Sequence, residues 1–326
     1  MENPTINDSQ LIYPVQRQML AQFLRHSPLS PLYWHWWLII AILWLVTRLP
    51  LSWQLLIGRQ IGYCLYLLAS RRRHIATVNI NLCFPELSET DRKKLVKESF
   101  LVLGEGLLEL LSAWWMPTAR FNIKWQVTGE EYLLDAIQKG KGIILLSAHF
   151  TALEIGGRYL TMRFPKQIHA IYRRHQNPVL EYVTRHSREK HAEKAIHRDA
   201  VREMLRSLKA NKILWLATDQ NFGHKNSVFA DFFGIPTATN TVVSRLAGFS
   251  NSAIIPFFTQ RLPNQQGYKI IYLPPLDNFP SGDYLTDTNR LNKLIENQIR
   301  EAPAQYLWTH RRFKDRPAGE KSFYET

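Results

Sequence analysis

His149 and Glu154 stand five residues apart in residues 142–158, GIILLSAHFTALEIGGR: an imidazole followed by a carboxylate, at a spacing that suits a general base and the group that orients it. The bare pattern carries little. With 11 His and 27 acidic residues in 326, about one such pair arises by chance, and a second stands at His310 and Asp315. Context separates the two. Ile143-Ile144-Leu145-Leu146 is a continuous apolar run behind Gly142, the mark of a buried strand in a parallel or mixed sheet. Catalytic groups gather at the C-terminal ends of such strands. Thr151-Ala152-Leu153-Glu154 has the form of a capping box that opens a helix, whose apolar face continues through Ile155 and Tyr159. His149 is thereby predicted in a strand-to-helix turn. The duller alternative makes His149 a polar loop residue and Glu154 a helix cap. The second pair, flanked by Arg311, Arg312 and Lys314, reads as a charged surface or a phosphate-facing segment.

Other candidates follow other apolar runs. Arg173, Arg174 and Asn177 come just after a predicted strand at 168–172, so they can face the same strand-end cleft. Arg185, Arg188, Lys194, Arg198 and Arg202 come next. As a set they suit phosphate or carboxylate; singly, each can be an ordinary solvated helix charge. Asp219, Gln220 and Asn221 follow the apolar run at 213–217, and 229–234 adds aromatics. Taken alone these read as a turn and a hydrophobic patch. No Gly-rich phosphate loop, no GxSxG and no His/Cys cluster of metal spacing is present.

The elements that must position these groups alternate. A helix capped by Ser88 and Asp91 carries Leu95, Leu103, Leu107 and Leu111 and ends before Pro117. Strands are predicted near 123–127, 142–148, 168–172, 213–217, 253–259 and 268–273, with helices between most of them. That is an α/β chain with a mixed sheet flanked by helices. At 45% hydrophobic content the chain can bury a large core. Its 41 Lys and Arg against 27 Asp and Glu, a net +14, favour acidic or anionic partners without choosing among them. Cys64 and Cys83 form no disulfide framework, which fits a reducing compartment.

The N-terminal region differs. Residues 32–47, LYWHWWLIIAILWLVT, are almost wholly apolar and Trp-rich, as at membrane interfaces. As a helix they would span about 24 Å against a hydrocarbon core of about 30 Å, short for a clean crossing. Arg48, Arg59 and Arg71 to Arg73 follow, which by the positive-inside rule places the bulk of the chain in the cytoplasm. Residues 51–69 read as a second, amphipathic helix lying on a bilayer. The rival reading makes both helices buried core. The organisation expected is an N-terminal segment at 1–30, membrane-anchor helices at 31–75 and a catalytic domain at 76–326.

Together the motifs NINLCFPELSE (79–89), SAHFTALEIGGR (147–158), AIYRRHQNP (170–178), ATDQNFG (217–223), FADFFGIPTAT (229–239) and QYLWTHRRFKDRPAGE (305–320) resemble the late, or secondary, lipid A acyltransferases. Glu154, where glycerolipid acyltransferases more commonly carry Asp, is similar to the lipid A branch, and the closing block resembles its lauroyl-transferring members most, with relatives that transfer myristate or other chains close to them. The resemblance implies a glycerolipid-acyltransferase-like fold and a bacterial inner-membrane enzyme facing the cytoplasm. It would move an acyl chain from acyl carrier protein to a hydroxyl of a 3-hydroxyacyl chain on a Kdo-bearing lipid A precursor. His149 would be the base and Glu154 its orienting group. Arg188, Lys194 and Arg198 would meet the anionic acceptor, and Asp219 and Gln220 would shape the cleft. Neither cofactor nor metal is implied, and the partners would be carrier protein, an anionic glycolipid and the membrane, not nucleic acid. Two rivals remain: another membrane-associated lysophospholipid or glycolipid acyltransferase, and a non-enzymatic anchored binder of anionic polymers.

Overall fold

The computed structural model describes residue 24 and residues 27–223 and 226–325; most of the 1–30 segment lies outside them. From residue 34 four α-helices follow one another, α1 (Trp34–Val46), α2 (Leu51–Leu68), α3 (Ser70–Cys83) and α4 (Glu89–Trp115). Alternation follows: β1 (Trp125–Thr128), α5 (Glu130–Gln138), β2 (Ile143–Ser147), α6 (Leu153–Arg163), β3 (Ile168–Tyr172), α7 (Pro178–Glu189), β4 (Lys194–His197), α8 (Val201–Lys209) and β5 (Ile213–Ala217). The chain closes through β6 (Ser227–Phe232), β7 (Ile235–Asn240), α9 (Val242–Ser250), β8 (Ala253–Arg261), β9 (Tyr268–Tyr272) and α10 (Tyr284–Glu301).

Seven strands form one sheet in the order β1-β9-β8-β2-β5-β3-β4. Only the β8–β9 pair is antiparallel, so the sheet is mixed as expected. Central β2 is wholly buried because both faces are covered. On one face Leu145, Leu160, Trp215 and Phe257 pack under α6, while Ile144, Met204, Leu214 and Leu246 pack on the other. β6 and β7 form a separate hairpin whose turn residues Phe233 and Gly234 both have positive φ, the backbone a two-residue hairpin loop demands.

The N-terminal helices pack on the rest of the chain. α2 crosses α4 where Gly58 and Gly62 meet Gly104; a Cβ on Gly104 would collide with the Gly58 carbonyl and the Gly62 backbone. α1 lays Leu43 and Val46 against the cluster of Leu108, Leu111 and Trp114 and leaves Trp34, Leu38, Ile42 and Leu45 exposed. Whether the apolar run at 32–47 crosses a membrane or lies on one is left open by its length, and the helix it forms does not support a crossing. α1 has 13 residues, and among the described residues no helix is long and apolar enough to cross a membrane.

Candidate active site

β2 delivers His149 to the C-terminal edge of the sheet, two residues beyond the strand, as expected. Its Nδ1 lies 2.7 Å from Asp219 Oδ1, and its backbone N–H donates to Asp219 Oδ2 at 3.0 Å. Parallel β5 brings Asp219 there in register, Ser147 lying opposite Ala217. A carboxylate on Nδ1 fixes the tautomer with Nδ1–H, which leaves the Nε2 lone pair free to take a proton. Burial disfavours the imidazolium, but the charge and hydrogen bond of Asp219 outweigh it, so the His149 pKa is raised. Burial would likewise push Asp219 up. The His149 charge, with hydrogen bonds from its ring and backbone, instead draws the carboxyl down to about 2.

The carboxylate bonded to the His149 ring is therefore Asp219, and Glu154, expected there from the sequence, makes its contacts elsewhere. Glu154 accepts from Trp114 Nε1 at 2.9 Å and pairs with Arg188. The capping box does not form: α6 starts at Leu153 with no side-chain cap, and Thr151 Oγ1 is buried without a partner. The physical reason is charge. With Arg188 arriving from α7, Glu154 neutralises a half-buried guanidinium, a stronger interaction than a cap of its own helix.

A cavity of 590 Å³ opens beside His149. One part is walled by Leu65, Leu103, Leu107 and Leu110 of α2 and α4, another by Ile171, Met204, Leu216 and Val242 on the far side of the strand ends. Glu154, Arg173, Arg188, Arg198, Gln220 and Asn221 supply its polar lining. Leu65 and Leu107 are also exposed, so the leucine wall reaches the outer surface beside α2's exposed Trp53, Leu56, Leu67 and Leu68.

Of the predicted site residues, the structure gathers His149, Glu154, Arg173, Arg188, Arg198, Asp219 and Gln220 around this space. It does not gather the others. Asn177 caps α7, accepting from the backbone N–H groups of Val179 and Leu180. Lys194 sits on the edge strand β4, paired with Glu203, and Arg174 is exposed outside the lining. Arg198 stacks its guanidinium 5.4 Å from the Phe222 ring centre.

Of the two readings of His310–Asp315, a charged surface or a phosphate-facing segment, the first is corrected. Arg312 is buried, donating to Ala238 O and Thr239 Oγ1. Half-buried His310 accepts from Asn221 N–H at 3.2 Å, and Asp315 accepts from Asn221 Nδ2 at 2.6 Å. The dense basic sequence conceals this because two of its guanidinium groups, Arg312 and Arg316, turn onto the backbone carbonyls of Ala238 and Pro236. Trp114 was missed as well; nothing in an apolar helix end marks its indole N–H as the donor to Glu154.

Residues 21–315 match the model of the bacterial lipid A biosynthesis acyltransferase family. The chain is 36% identical over 297 residues to a lipid A biosynthesis lauroyltransferase of Escherichia coli (strain K12), covering 91% of this chain and 96% of that one. It is 36% identical over 304 residues to the palmitoleoyltransferase of the same organism, again 91% of this chain and 96% of that one. The myristoyltransferase there is 26% identical over 298 residues, 90% and 91% of the two chains. A strand-end histidine beside a cavity with apolar walls and guanidinium groups, on a chain matched to this extent, makes the protein an acyltransferase of the bacterial lipid A biosynthesis family.

Proposed function

We propose that the enzyme transfers an acyl chain, of the lauroyl or myristoyl class, from acyl carrier protein to a hydroxyl of a 3-hydroxyacyl chain on a Kdo-bearing lipid A precursor. The observation that carries this is the His149–Asp219 pair at the edge of a cavity with both apolar walls and guanidinium groups. An acyl chain fits the apolar part, while Arg173, Arg188 and Arg198 suit phosphate or sugar carboxylate on the acceptor.

Asp219 holds the Nδ1 proton, so Nε2 takes the proton of the acceptor hydroxyl as its oxygen attacks the thioester carbonyl. The tetrahedral oxyanion collapses, the C–S bond breaks, and the imidazolium returns its proton to the departing thiolate. No covalent enzyme intermediate is required. Glu154 serves this chemistry by holding Arg188, whose Nη1 also reaches Ile171 O at 3.2 Å. Left unneutralised beside His149, Arg188 would oppose the imidazolium that the reaction forms.

The exposed apolar faces of α1 and α2 support association with the membrane surface, on the cytoplasmic side of the bacterial inner membrane, by shallow burial rather than crossing. A lipid acceptor then reaches the leucine wall without leaving an apolar setting. The test is transfer from a ladder of acyl carrier protein thioesters to the Kdo-bearing precursor, beside lysophospholipid and simple glycolipid acceptors. Preference for either of those acceptors over the precursor would replace this substrate assignment.

A further inference from the structure

Residues 305–315 touch both halves of the base pair. Leu307 N–H donates to His149 O at 3.0 Å, Thr151 N–H donates to Gln305 O at 2.8 Å, and Phe150 and Tyr306 form an antiparallel bridge. The same segment grips the other loop: His310 Nε2 accepts from Asn221 N–H, and Asp315 N–H donates to Asn221 Oδ1 while the carboxylate accepts from Asn221 Nδ2. The segment is itself fixed from behind, because Asn79 Nδ2 on α3 donates to Trp308 O and His310 O, both at 2.7 Å. His149 and Asp219 lie 70 residues apart and meet from two different loops. Their 2.7 Å contact depends on what ties those loops together.

We propose that His310 is a positioning residue: by accepting the Asn221 N–H it locks residues 219–221 to the segment that also holds the His149 loop, and so sets the His149–Asp219 hydrogen bond. It does not line the cavity and touches no reacting atom. Acceptance at Nε2 requires the neutral ring with its proton on Nδ1. Burial holds it neutral, pushing its pKa down to about 4; nearby His149, Arg312 and Arg72 act in the same direction, and Asp219 opposes them. The clamp thus keeps its acceptor across the pH range in which His149 works. It rests on the proposed role of His149 as base.

The test uses the full chain and four variants: His310→Phe, which keeps bulk without an acceptor; His310→Gln, whose amide oxygen can replace Nε2; Asp315→Ala; and His149→Ala. For each, kcat is measured against pH with both substrates saturating. Misplacing a catalytic group by about 1 Å costs about 10²-fold, so His310→Phe is expected to lose about that much. Its acid limb should move to lower pH, because a loosened Asp219 no longer raises the His149 pKa. Gln should recover activity to within about tenfold of the parent, and Asp315→Ala should shift the limb in the same direction as Phe. An unchanged acid limb, or Gln no better than Phe, overturns the proposal. If His310→Phe does not fold, His310→Ala takes its place, and Asp315→Ala with an unchanged acid limb, or Gln no better than Ala, overturns the proposal. A His149→Ala enzyme near the parent rate sinks the base assignment itself; an inactive His149→Ala beside a normal His310→Phe sinks only the clamp.

Discussion

With Asp219 on Nδ1, His149 presents Nε2 to the cavity, and Asp219→Asn would leave the shape while turning the imidazole toward the wrong tautomer. We expect kcat to fall on the order of 10²- to 10⁴-fold, and His149→Ala to fall at least as far. The sign of the pH effect follows from the raised His149 pKa. The base works only unprotonated, so the parent acid limb in kcat/KM lies above the ordinary imidazole value and moves down in Asp219→Asn. An acid limb that stays put in that variant would remove His149 from the mechanism. The cationic residues make a second residue-level prediction. Neutralising exposed Arg173 and Arg198 together should raise acceptor KM with little change in kcat, whereas Lys194→Ala, outside the cavity, should alter neither. A selective rise in donor KM would assign these arginines to carrier-protein docking. His149 was legible in the sequence because an apolar run announces the strand that carries it. The partner of His149 was not, since a carboxylate five residues away draws attention that one across a parallel strand pair cannot.

At the scale of elements, the six expected strands are all present; for β2, β5 and β8 burial on both faces writes itself into composition, whereas β1 is a largely exposed edge strand. β4 was not expected: it is a four-residue edge strand with Lys194 and His197 at its ends, and such sequence reads equally as solvated helix. The β6–β7 hairpin reads in sequence as an aromatic patch because Phe233, with positive φ, occupies a turn position where Asn, Asp or Gly is the usual signal. The crossing of α2 on α4 is not legible in the sequence because the spacing of Gly58, Gly62 and Gly104 has meaning only once both helices are in place. Gly104→Val should force these helices apart and cost about 3 kcal/mol or more, read as a lower midpoint in thermal or denaturant melting. Next to that crossing, Arg261 reaches from β8 to Glu105 and Glu109, and Tyr268 Oη also donates to Glu109 at 2.6 Å. Arg261→Met would strand the fully buried Glu109 and cost about 3–5 kcal/mol. Adding Glu109→Gln should recover part of that loss in the same melt, and a further loss would contradict the pairing.

For the whole molecule, the sequence marked the N-terminal region as membrane-seeking by composition, but packing changed what that region is. The apolar helices lie along the catalytic unit, one face on α4 and the other outward. Replacing Leu38, Ile42 and Leu45 with Ser should weaken binding to anionic vesicles and raise acceptor KM in bilayers, while turnover on detergent-dispersed acceptor stays near the parent. Undiminished vesicle binding would move the attachment to Trp53 and Leu56 on α2.

Leu65 and Leu107 belong to the cavity wall and to the outer surface at once. An acceptor that entered there from a bilayer would be drawn from a two-dimensional pool, so the enzyme would sample mole fraction in a sheet of lipid, not moles per litre of buffer. Surface dilution should accordingly govern the rate: adding inert phospholipid at fixed total acceptor should slow transfer, and adding buffer at fixed lipid composition, with the enzyme fully adsorbed, should not. The lipid composition around the enzyme would then act as its substrate control.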